Sequence, residues 1–257
     1  MSDTGLVWIR EDFRIENNAA LSYASQNHQN VIAFFIYNNN DYDNKREAQK
    51  WWLSKSLENF KKDLLNYQIN LQIIKGDELI IFSKIKKNDN VSIYWNKIYE
   101  PDVIAKGKKI RDILIKNDIN FKYFKGNILN EFQEVTKNDK TPFKVFTPFW
   151  KTAEKIYLSL PPSKNYIIKK KSKIKSFFKN SITSNEILPK KNWHKKFEKY
   201  WNVSENNSKK ILKELIENKI KDYGTARDIP SIEGTSKLSP YIKFGQIHVG
   251  TIWKKCN

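Results

Sequence analysis

The residues with the clearest chemical potential lie in Gly234-Thr-Ser-Lys-Leu-Ser-Pro240. Thr235, Ser236 and Ser239 supply hydroxyls, and Gly234 lets the backbone turn and approach a ligand closely. Pro240 suits the first turn of a helix, so the segment is expected at a helix N-terminus, where backbone N–H groups and the helix dipole favour an anion. Lys237 either adds charge or points to solvent. By residue chemistry alone this is a phosphate cradle or an ordinary Thr/Ser helix cap. Tyr223 and Arg227 stand just upstream. A guanidinium forks well onto phosphate oxygens, yet on the bare sequence Arg227 is a surface arginine. His28, His194 and His248 are scattered, form no metal or triad pattern, and His248 is expected at the surface. The lone Cys256 excludes an internal disulfide and a cysteine-based metal site, and points to the cytoplasm.

The elements that must position these residues begin with strands. Leu6–Ile9, Val31–Ile36, Leu71–Ile74, Val91–Trp95 and Phe121–Phe124 are short apolar runs. Helical patterns lie between them, opening at Asn17 and running over 46–66, 77–86 and 102–117. Strands alternating with helices predict a Rossmann-like α/β domain, a five-stranded parallel sheet with flanking helices. Ligands bind such sheets beyond the carboxyl ends of the strands. No G-x-G-x-x-G follows the first strand. The turn there is the charged Arg10-Glu-Asp-Phe-Arg14, for which internal ion pairing of Arg10, Asp12 and Arg14 is expected. The lysine-rich run Lys169–Lys173 and five prolines (Pro142, Pro148, Pro161, Pro162 and Pro189) mark residues 128–200 as a connector. Ser204 is a helix cap, followed by an amphipathic helix through Ile211, Leu212, Leu215, Ile216 and Ile220. The expected division is 1–127, 128–200 and 201–257.

The formal charge is +19, from 47 Lys+Arg against 28 Asp+Glu. Such an excess attracts polyanions, although a coding bias toward Lys, Asn and Ile would also produce it. No stretch approaches twenty apolar residues, so no membrane span is expected.

Four motifs, in order, carry a resemblance. They are Leu6-Val-Trp-Ile-Arg-Glu-Asp-Phe-Arg14 with Asn18-Ala-Ala-Leu21, Trp95-Asn-Lys-Ile-Tyr-Glu-Pro101, Phe143-Lys-Val-Phe-Thr-Pro-Phe-Trp150, and Gly234–Pro240 with Phe244-Gly245. Together they resemble the DNA photolyase and cryptochrome family, the class I type of cyclobutane pyrimidine dimer photolyase in particular. The resemblance implies an antenna domain, a connector and the first helices of an all-α FAD-binding domain. It implies light-driven repair of pyrimidine dimers in DNA by a monomer, with a cryptochrome-type photoreceptor as the alternative. By the same resemblance, Tyr223, Thr235, Ser236, Lys237, Leu238 and Ser239 contact FAD, and Arg227 contacts DNA.

Members also carry an antenna chromophore, a folate or a deazaflavin. Folate-binding members hold the pterin through an Asn-Glu pair, and the matching positions here are Asp102 and Val103. The glutamate is missing, which counts against folate held in that manner and keeps deazaflavin, a flavin antenna or none open. Trp51, Trp52, Trp150, Trp193 and Trp201 read as core or connector anchors. The family's relay tryptophans and most of its lesion pocket are expected beyond Asn257, so no catalytic residue is assigned within the chain. Residues 1–257 alone are therefore expected to bind FAD poorly and not to repair DNA, and the apolar face of 204–253 is expected to lack partners.

Overall fold

The structure is a computed structural model that describes residues 3–41, 47–158 and 166–256. Pro161 and Pro162 of the connector lie outside the described residues, as does residue 46 at the predicted start of one helix. The five predicted strands are present: β1 (Thr4–Ile9), β2 (Asn30–Tyr37), β3 (Asn70–Lys75), β4 (Val91–Asn96) and β5 (Asn120–Phe124). All pair in parallel, in the order β3-β2-β1-β4-β5. Leu6 of β1 stands opposite Ile32 of β2 and Ile93 of β4.

Alternation along the strands separates two layers. Val7, Ile9 and Phe35 face α1 (Ala19–Asn27) and α2 (Glu47–Leu65), while Leu6, Trp8 and Phe34 face α3 (Glu78–Ser83) and α4 (Pro101–Lys116). Covering both faces explains why the strands read as continuous apolar runs. Asn18 caps α1 by accepting from the Leu21 N–H, and Asp77 caps α3 by accepting from the Ile80 N–H. The helix expected over 77–86 is shorter, because the chain turns at Lys84, whose N–H closes onto the Ile81 carbonyl.

Beyond the sheet come α5 (Phe146–Leu158), α6 (Glu205–Glu214), α7 (Tyr223–Ala226), α8 (Ser239–Lys243) and α9 (Val249–Cys256). Ser204 caps α6 as expected, accepting from the Asn207 N–H at 3.2 Å. A π-helical turn over Leu215–Lys219 then ends the helix. Trp253 of α9 packs edge-on against Trp150 and Tyr157 of α5.

The apolar face of 204–253 does not lack partners. Leu212, Leu215, Leu238, Tyr241, Phe244 and Ile247 are buried in one core with Phe13, Trp52 and Phe60. The reason is that α2 presents apolar residues on more than one side: Trp52 meets the sheet-side core and also packs edge-on against Tyr241 and Trp201. Polar ties reinforce the contact. The Trp52 indole N–H donates to Gln246, Asn59 donates to the Val203 carbonyl, and Asn127 donates to the Ile242 and Ile247 carbonyls while accepting from the Val249 N–H.

Residues 166–200 form a strap along the β3 side of the sheet. The Ile182 N–H donates to the Ile73 carbonyl at 2.8 Å, and Gln72 bonds to both Phe177 and Phe178. Covering an open strand edge in this way blocks pairing with another chain.

Candidate functional site

The turn after β1 is a docking platform for the C-terminal segment. Arg14 is fully buried and donates to the Gly245 carbonyl at 2.9 Å and the Asn17 carbonyl at 3.1 Å. The Phe13 N–H reaches the Phe244 carbonyl at 3.3 Å. Lys243 bridges Glu11 at 2.5 Å and Glu100 at 2.9 Å. Gly245 has φ +63°, and a Cβ there would collide with the Glu11 carbonyl. The expected internal ion pairing of Arg10, Asp12 and Arg14 is therefore corrected. Both guanidinium groups donate to carbonyl oxygens, Arg10 to that of Asn96. Asp12 accepts from the Arg10 backbone N–H and from Asn96. The carbonyls satisfy part of each guanidinium, and the buried Asp12 carboxylate favours both charges without a direct ion pair. Burial lowers the Arg10 pKa to about 10, with Asp12 opposing the shift.

His248 also departs from expectation. It is partly buried just before α9, with its Nδ1 accepting from the Gly250 N–H at 3.0 Å. Burial, with the nearby positive charge of Arg14, lowers its pKa to about 4.

The predicted ligand segment is brought together with the helix before it. A Cβ at Gly234 would collide with the Ala226 carbonyl, so the segment closes directly onto the end of α7, which carries Tyr223 and is followed by Arg227. Lys237 adopts φ +54°, turning the chain into α8. Thr235, Lys237 and Ser239 are exposed, Ser236 is half-buried, and the Leu238 side chain enters the core. Ser236 Oγ accepts from the Leu238 N–H at 3.4 Å, and Lys237 pairs with Glu233 at 2.5 Å. Among the described residues, the N–H groups of Thr235, Ser236 and Lys237 donate to no protein acceptor. Three free donors and two outward hydroxyls fit the phosphate of a nucleotide cofactor. Tyr223 is half-buried, and Arg227 is exposed with Asp228 at 3.4 Å.

A second feature lies where the strand order reverses. The chain passes from β1 outward through β2 to β3, then returns to the other side of β1 with β4. Such a switch point opens a crevice at the carboxyl strand ends. Here it has a volume of about 520 Å³ and is lined by Trp8, Arg10, Glu78, Asp102, Lys106 and Phe244, among others. Val103 also lines it. Lys106 pairs with Glu78 at 3.1 Å across one wall. Arg10 lies over the Trp8 ring at 4.5 Å, a cation–π contact at the mouth of the crevice. Sequence reasoning found Asp102 and Val103 but missed Glu78 and Lys106, whose meeting depends on the packing of α3 against α4.

The DNA photolyase family model matches residues 5–166. The chain belongs to the DNA photolyase family. It is 29% identical over 254 residues to a deoxyribodipyrimidine photo-lyase of Agrobacterium fabrum, covering 96% of this chain and 52% of that protein. It is 26% identical over 268 residues to cryptochrome-2 of Arabidopsis thaliana, covering 99% and 43%. The crystal structure of a bacterial class III photolyase from Agrobacterium tumefaciens superposes with TM-score 0.87 at 27% identity, covering 99% of this chain and 53% of that one. That relative is of class III, whereas the motifs alone suggest the class I type. The chain thus spans about half the length of the relatives it matches. Among the described residues no helix is long and apolar enough to cross a membrane.

Proposed function

We propose that this chain is the antenna and connector portion, with the first FAD-contacting helices, of a deoxyribodipyrimidine photo-lyase. In this reading it acts as a cytoplasmic monomer that repairs cyclobutane pyrimidine dimers in DNA. Residues 1–127 form the antenna domain, 128–200 the connector and 201–257 the start of the helical domain. The observation that carries the reading is the closure of Gly234 onto Ala226. It sets the free N–H donors of 235–237 beside the Tyr223 helix, and it puts Arg227 at the surface next to them.

FAD, when bound and reduced, would supply the light-excited electron. The chain's own residues have simpler tasks. Thr235, Ser236, Lys237, Leu238 and Ser239 hold a phosphate and ribose through backbone N–H groups and hydroxyls. Tyr223 borders that site, and Arg227 holds a DNA phosphate. The strand-end crevice is large enough for one chromophore. Its wall has Asp102 and Val103 where a folate-binding member has Asn-Glu, which favours a flavin or deazaflavin antenna over folate.

The test is dimer repair in ultraviolet-irradiated oligonucleotides under blue light, by a preparation in which this chain is joined to the remaining helices. Loss of dimers in the light alone supports the reading. Equal binding of irradiated and intact DNA, without repair, sinks it in favour of a cryptochrome-type photoreceptor.

A further inference from the structure

Residues 166–200 hold eleven lysines and two acidic residues, Glu186 and Glu198, and so carry nearly half of the net charge. Neither carboxylate neutralises the strap. Glu186 is engaged within its own turn, accepting from the Thr183 N–H and hydroxyl. Glu198 pairs with Lys55 of α2. Every lysine found in an ion pair among the described residues lies outside the strap. Many lysines outside the strap are unpaired too, but here eleven fall within thirty-five residues with no carboxylate to neutralise them.

The strap is also firmly held. The Lys169 N–H donates to Ser25, the Lys171 N–H to the Tyr67 carbonyl, and Ser22 and Gln26 both donate to the Ile167 carbonyl. The Lys171 ammonium turns inward onto the Ser25 and His28 carbonyls at the end of α1. Lys169, Lys170, Lys173 and Lys175 are left exposed on a fixed backbone. Asn70, the first residue of β3, bonds to Ser176, so this part crosses the amino ends of the strands. The platform under Gly245 is at the opposite, carboxyl end, about 20 Å away along a six-residue strand. Further along, Phe177 and Phe178 line a cleft of about 310 Å³ flanked by Lys75, Lys84 and Lys179.

We propose that the strap is a second polyanion surface, which binds the sugar–phosphate backbone of a single-stranded nucleic acid without regard to sequence or lesion. The unpaired lysines meet the phosphates, and the Phe177–Phe178 cleft takes an unstacked base. A recessed aromatic pair between lysines suits a flat base, while Ile167 and Ile174 project from the strap, so vesicle binding is measured beside oligonucleotide binding. The surface requires neither a flavin nor Arg227.

The experiment measures binding of the whole chain to an undamaged single-stranded oligonucleotide by fluorescence anisotropy between about 50 and 200 mM salt. Replacing Lys169, Lys170, Lys173 and Lys175 together by Gln is expected to weaken binding more than tenfold. It should also lower the slope of log affinity against log salt by about 3, since each single-strand phosphate contact contributes about 0.7. The fourfold Arg variant is expected to retain affinity, which separates charge from folding. Phe177→Ala is expected to weaken single-strand binding fivefold or more and leave duplex binding unchanged. A fourfold Gln variant with native thermal midpoint and native affinity would overturn the proposal. So would loss of binding confined to Arg227→Ala, or tighter binding to phosphatidylglycerol vesicles than to the oligonucleotide.

Discussion

Gly245 is where the backbone has least latitude. Its φ of +63° disfavours any L side chain, and the Glu11 carbonyl occupies the space a Cβ would need. Gly245→Ala is therefore expected to destabilise the chain by on the order of 3 kcal/mol, read as a lowered midpoint in urea unfolding. His248 makes a second prediction, about pH. Its pKa is lowered to about 4 in the folded state, from an ordinary 6.5. Between those values the unfolded chain binds a proton that the folded chain does not. Stability is then complete above about pH 6.5 and falls as the pH drops toward 4, by roughly 1–3 kcal/mol. His248→Asn keeps a side-chain acceptor for the Gly250 N–H without a titrating ring. Its unfolding midpoint should vary less between pH 7 and 4 than that of the native chain; an equally steep loss would show that His248 is not responsible. Arg227→Ala should weaken binding to dimer-containing DNA and lower its salt slope by about 1, as loss of one phosphate contact requires.

At the scale of elements, a buried carboxylate joins α6 to the start of the chain, with Lys209 of α6 also pairing with Glu16. Glu205 is buried, accepts from the Ile15 and Glu16 N–H groups at 2.6 and 3.1 Å, and pairs with Lys209 at 3.0 Å. Glu205→Ala leaves those two donors without an acceptor and is expected to cost about 1–3 kcal/mol in chemical unfolding. None of this was readable from the sequence, where Glu205 is only an acidic residue in the first turn of a helix. The inner strands were readable, because burial on both faces leaves them as largely apolar runs. The cap at Ser204 was readable too, since capping is local chemistry. Arg10, Asp12 and Arg14 were misread as ion-paired because a charged triplet gives no sign of distant carbonyls. The partners of Arg14 and Asn127 lie more than a hundred residues away, at Gly245 and at Ile242, Ile247 and Val249. The contact between Gly234 and Ala226 is closer in sequence, yet only the fold of the intervening loop shows it. The Gly234–Pro240 segment was therefore legible as chemistry and as a family motif, while its closure onto α7 was not.

For the whole molecule, one face of the sheet shares its core with the C-terminal helices, while the other face has a core of its own. Removing residues 201–257 would uncover Phe13, Trp52 and Phe60 together. The shortened chain is expected to bind a hydrophobic dye and to aggregate at concentrations where the full chain remains in solution. A monodisperse, dye-silent 1–200 fragment would show the sheet to be self-sufficient. The shared core also has a consequence in time. Arg14 and Gly245 are separated by 231 positions, so the bond between them waits for that length of chain to be synthesised. At about 5–20 residues per second, the first strand and its turn leave the ribosome roughly ten to fifty seconds before their partner does. During that interval the buried guanidinium of Arg14 and the ring of Phe13 face water or a chaperone. A nascent chain stalled before residue 245 should thus be more sensitive to protease in the β1–α1 turn than one released.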